Sequence, residues 1–94
     1  MSAEDLTLNI AVNLGRVSRW AMEGKRERIE QFLKDTDNYI NLLESAKRSE
    51  KFEKTFKAFK ISFNKLRSDI KLDGVWAEEA LTWANILTHR AKLA

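Results

Sequence analysis

Cysteine and proline are absent from this 94-residue sequence, and glycine occurs only three times. Without cysteine there is no disulfide framework, no thiolate metal site and no thiol nucleophile. That absence fits a reducing, cytoplasmic setting. Turn-rich β folds draw on glycine and proline, so their scarcity argues for helices. Three scattered glycines also exclude a glycine-rich phosphate loop. No apolar run exceeds a few residues, far short of the roughly 18 that a bilayer-spanning helix needs. The opening Met-Ser-Ala-Glu-Asp has neither a basic region nor an apolar stretch of signal length, so no secretion signal is expected.

The composition that remains, 44% hydrophobic and 33% charged, is that of a globular chain. Its length allows one domain, residues 1–94, with a core sufficient for a fold but little surplus.

Four segments carry a helical period. In the first, from about Ala3 to Glu23, Ser2 and Asp5 form a capping-box pattern. Leu6, Ile10, Leu14, Val17 and Ala21 share one face, and Gly24 is the expected stop. The second runs from about Lys25 to Lys47 on Ile29, Phe32, Leu33, Thr36, Ile40, Leu43 and Ala46. The third opens at Ser49 and runs to about Lys71, with Phe52, Phe56, Phe59, Phe63, Leu66 and Ile70 in alternating steps of four and three. Asp73-Gly74 marks a turn. The fourth, from about Val75 to Lys92, is built on Trp76, Ala80, Trp83, Leu87 and Ala91. Similar lengths and short connections predict an all-α, antiparallel up-down-up-down four-helix bundle. The alternative is one long helix running through Gly24, which costs only about 1 kcal/mol relative to alanine.

Two helices are apolar beyond their core stripes. Leu8, Val12, Gly15 and Met22 form a second stripe on the first helix. On the fourth, apolar residues including Leu81 and Ile86 cover well over half of the circumference. This pattern predicts a partner interface at Leu8, Val12, Gly15, Met22, Leu81 and Ile86, for a homo-oligomer or a protein partner.

The basic excess lies in the third segment: residues 49–72 carry seven basic and three acidic groups, while the whole chain is only +3. Lys57, Lys60, Asn64, Arg67 and Lys71 align on one flank, with Lys51, Lys54 and Lys65 on the other. The first flank is a candidate surface for phosphate contacts along RNA or single-stranded DNA. It has no exposed aromatics for base stacking, so any such binding would follow the backbone.

Little points to catalysis. His89 is the one histidine, and the residue three before it is Ile86, so the Glu-x-x-His pattern of bundle metal sites is missing. Glu78 and Glu79 suit the first turn of a helix, and Asp35 and Asp37 point about 200° apart. No catalytic residue, metal site, cofactor or small-molecule substrate is expected. Asn9, Asn13 and Arg16 sit beside Trp20 at the edge of the first core stripe. Asn13 is nearly at its centre, where an asparagine fixes register or serves an interface.

In size, charge sign and helical plan the chain resembles small basic bacterial four-helix-bundle proteins. These include accessory proteins of reverse-transcribing diversity-generating elements. The resemblance covers architecture alone and carries no site residue. It adds modest weight to the nucleic-acid alternative and nothing more.

Overall fold

The computed structural model describes all 94 residues, Met1–Ala94. Four helices form an all-helical structure without strands. They are α1 (Ala3–Met22), α2 (Arg26–Ser45), α3 (Glu50–Ser68) and α4 (Gly74–Arg90), and a 3₁₀ turn over Ala91–Leu93 ends the chain. The extents, 37 × 19 × 18 Å, match helices of about 20 residues at 1.5 Å each, and the packing is that of a bundle.

Polar side chains start three of the helices. The Ser2 hydroxyl accepts from Asp5 N at 3.1 Å, and the Asp5 carboxylate accepts from Ser2 N. The Ser49 hydroxyl accepts from Lys51 N, and the Asp73 carboxylate accepts from Trp76 N at 2.9 Å. The start of α2 has no side-chain cap. Its position is set instead by Gly24, whose φ of +71° breaks the chain out of α1. The single long helix through Gly24 is thereby excluded.

Helix α3 stops at Ser68, short of the expected Lys71. Asp69 leaves the helical region at φ −145°, and the Ser68 hydroxyl donates to the Lys65 carbonyl. Short polar side chains of this kind compete for the backbone and end helices.

The core is asymmetric. From α3, Phe52, Phe56, Phe59 and Phe63 are fully buried. Their bulk fills the centre and holds α3 off from the other helices. Helix α1 approaches α4 and α2 much more closely, because the buried residues of α1 and α4 include small ones: Ala11, Ser18, Ala21, Ala77, Ala80 and Ala84. The Ser18 hydroxyl donates to the Ala77 carbonyl at 2.7 Å, a contact only closely packed helices can make. Half of the residues of α1 are buried. Its apolar breadth is thus largely spent on two neighbours, which accounts for part of the excess seen in the sequence.

The tryptophans sit at different depths. Trp76 is buried and its indole Nε1 donates to the Leu66 carbonyl at 3.1 Å. Trp83 packs half-buried on Phe59, and Trp20 sits edge-on to Phe32 at 4.6 Å. The buried Thr7 and Thr36 hydroxyls donate to the carbonyls one turn back, Ala3 and Phe32.

Candidate interaction surfaces

The first surface runs along the outside of α1 and onto α4. Met22 is 67% exposed, Val12 52%, Leu81 45% and Leu8 37%. Gly15 is half-buried on the same strip, and nothing within 4 Å faces the position a Cβ would take. Ile86 does not join them. It is half-buried in the groove between α3 and α4, beside Thr55 and Trp83. Five residues turn a helix by about 140°, so Leu81 and Ile86 face opposite flanks of α4.

The second surface is the basic helix. Of the five aligned residues, Lys60 binds the Glu44 carboxylate at 2.9 Å, and its Nζ lies 4.6 Å from the centre of the Phe56 ring. Arg67 binds Asp37 at 2.8 Å. Lys71 lies beyond the end of α3, 3.7 Å from Asp69. Lys57 and Asn64 remain exposed without an ion pair or side-chain hydrogen bond. The flank that looked continuous in sequence is therefore interrupted by carboxylates from α2. Lys51, Lys54, Lys57 and Lys65 are the exposed lysines of α3 that form no ion pair. They surround the outward-facing Ile61, which is itself exposed.

The hydrogen bond from Lys60 holds the Glu44 carboxyl below its ordinary range, as Lys25 does for Glu23. A carboxyl with a lowered folded pKa contributes stability that is complete above its unfolded value, about 4.3, and is lost as pH falls through the lowered one. Thermal melts from about pH 6 to about pH 3 are expected to show a shallower acid decline for Glu44→Gln than for the parent. Equal slopes would mean the pair contributes nothing in solution.

The third surface is a groove of about 540 Å³ between α1 and α2. Asn9, Val12, Asn13 and Arg16 line it from α1, and Asp35, Asn38, Tyr39 and Leu42 from α2. Its floor includes Phe32, with the Arg16 guanidinium 5.7 Å from the ring centre. The Asn9 amide donates to the Asp5 carbonyl, and Asp35 accepts from Gln31. Asn13 is 7% exposed; its side chain makes no hydrogen bond to another protein group, and its carboxamide opens onto the groove. The α1 wall is visible in the sequence as polar residues beside a core stripe. The α2 wall is not, because Asp35, Asn38 and Tyr39 look like ordinary surface residues until α1 is set beside them.

His89, Glu78 and Glu79 are exposed on α4. No group of three or more Asp, Glu or His side chains is placed to hold a metal ion. No helix is long and apolar enough to cross a membrane. Comparison with protein-family models, curated proteins and solved structures finds no match to this chain.

Proposed function

We propose that this chain is a non-catalytic interaction protein that associates with itself or docks on a partner protein through the outer faces of α1 and α4. One observation carries the reading: Leu8, Val12, Met22 and Leu81 stay exposed on adjoining flanks of two helices whose cores are already satisfied. Large side chains clustered in this way mark association surfaces more often than scattered ones do.

The helix order in this reading is up-down-up-down. The order of cross-helix partners supports it. Along α2, Asp37 and then Glu44 meet Arg67 and then Lys60, in descending order. Between α3 and α4, Thr55 meets Arg90 while Leu66 meets Trp76. Ser18, late in α1, meets Ala77, early in α4, which sets Gly15 about level with Leu81.

The test is Leu8→Glu with Leu81→Glu, which adds two charges to the strip without entering the core. Helicity and melting temperature are expected to stay near the parent values, while binding of a protein partner, or self-association on this face, falls by about tenfold or more. Unchanged association would remove the α1–α4 face from consideration.

A second reading rests on the four unpaired lysines of α3. Their outward face suits the phosphate backbone of RNA or single-stranded DNA. Lys54→Glu with Lys65→Glu is expected to abolish binding of a mixed-sequence oligonucleotide at about 50 mM salt. Parent binding should fade by about 200 mM as counterion release loses its advantage. Binding that ignores salt, or that survives both substitutions, would end this reading.

A further inference from the structure

The walls of the α1–α2 groove are chemically matched. Arg16 on α1 and Asp35 on α2 carry opposite charge, and neither belongs to any of the five ion pairs within the chain. Val12 stands on one side, 52% exposed, and Leu42 on the other, 56% exposed. Between them lies Asn13, whose carboxamide makes no hydrogen bond within the chain and opens onto the groove, free to bond a neighbour there.

We infer that a second copy of this chain covers the groove, related to the first by a two-fold axis. A two-fold axis makes every contact occur twice, so a surface whose two walls complement each other is self-complementary. It lays the α1 wall of one copy over the α2 wall of the other. Arg16 then meets Asp35 of the second copy, Val12 meets the second copy's Leu42, and Asn13 faces amide and carboxylate groups that can bond to it. The groove's own charges cancel, so the +3 excess of each chain, which sits on α3, does not repel a copy there.

This surface shares Val12 with the α1–α4 face but not Arg16 or Asp35, so charge reversal at those two positions tests it independently. Light scattering of the parent chain at about 0.1 mM is expected to give twice the 10.9 kDa of one chain. Arg16→Asp puts two acidic groups in each groove, and Asp35→Arg puts two basic groups there. Each variant alone is expected to associate about tenfold or more weakly. Mixed in equal amounts, the two variants restore both charge pairs across the two-fold axis, and the dimer returns. That rescue requires partners that are copies of this chain meeting by their α1 and α2 walls. Circular dichroism of each variant confirms that helicity is intact.

A parent chain that is monomeric at this concentration overturns the inference and leaves the groove to a small polar ligand or a partner's peptide. Single variants that stay dimeric, or a mixture that stays monomeric, overturn it as well. Leu8→Glu with Leu81→Glu separates the two surfaces. If that pair abolishes the dimer while Arg16→Asp does not, the α1–α4 face is the dimer interface and the groove is not. If the reverse holds, the groove stands without the α1–α4 face.

Discussion

Phe59→Ala is expected to lower the stability of the folded chain by about 3–5 kcal/mol. Phe59 is fully buried, packed 5.7 Å from the Phe63 ring centre and 5.5 Å from that of Trp83. Removing the ring leaves a void at the middle of α3, where the surrounding helices have little freedom to collapse. Helix α3 is held away from the others by four phenylalanines, so the loss of one cannot be absorbed by a small neighbour sliding in. For a domain of this size each kcal/mol shifts the melting temperature by about 4–8 °C, so the expected drop is about 12–40 °C. Thermal unfolding followed by far-UV circular dichroism measures it. A shift below about 5 °C would mean that Phe59 does not lie at the centre of the core in solution.

Arg48→Ala is expected to cost about 2–3 kcal/mol, an unusual amount for a charged residue in a loop. Arg48 lies between α2 and α3 and closes that connection. Its Nη1 donates to the carbonyls of Leu43 at 2.5 Å, Glu44 at 2.8 Å and Ala46 at 3.2 Å. These oxygens belong to the end of α2, where the helix has no further amides to offer. The Nε of the same guanidinium binds the Glu53 carboxylate at 2.9 Å, and Cζ stands 4.8 Å from the Phe56 ring centre. One planar group therefore satisfies a helix end, an ion pair and an aromatic face together. The side chain is only 15% exposed, so these bonds are less weakened by water than those of a surface pair.

Arg48→Lys is expected to recover less than half of the loss. A lysine ammonium has neither the fork to reach several oxygens nor the flat face to stack. Urea denaturation of the three proteins measures this order. Equal stability of Arg48→Ala and the parent would show that the network contributes nothing in solution, and full rescue by lysine would show that charge alone matters.

These two residues differ in how far the sequence reveals them. Phe59 belongs to a run of aromatics at steps of four and three, which only a helix can bring onto one face. Arg48 is one basic residue among many in a short connection, and nothing in its spacing marks it. Its role depends on where α2 ends and on which ring of α3 stands beside that end. The basic flank shows the same limit. Lys57, Lys60, Asn64, Arg67 and Lys71 align on a helical wheel, but the wheel contains only α3. The carboxylates of Glu44 and Asp37 that bind Lys60 and Arg67 come from α2, and the helix ends before Lys71.

The sequence by itself determined the helices and the core. Hydrophobic period, serine and aspartate caps and a glycine break are local signals, written within a few residues of where they act. It also marked the outward apolar strip of Leu8, Val12, Gly15 and Met22, because one helix's faces can be read from that helix alone. Tertiary structure decided what depends on neighbouring elements. It set α1 close to α4 through alanines and serine, and it turned Ile86 inward against α3 while Leu81 stayed outside. It also drew Asn13 and Arg16 of α1 together with Asp35 and Asn38 of α2 around one groove. Such pairings depend on helix order and on the depth to which each side chain packs. Those are set by the shapes that fill the core, with α3 held off by phenylalanine and α1 drawn in by small residues.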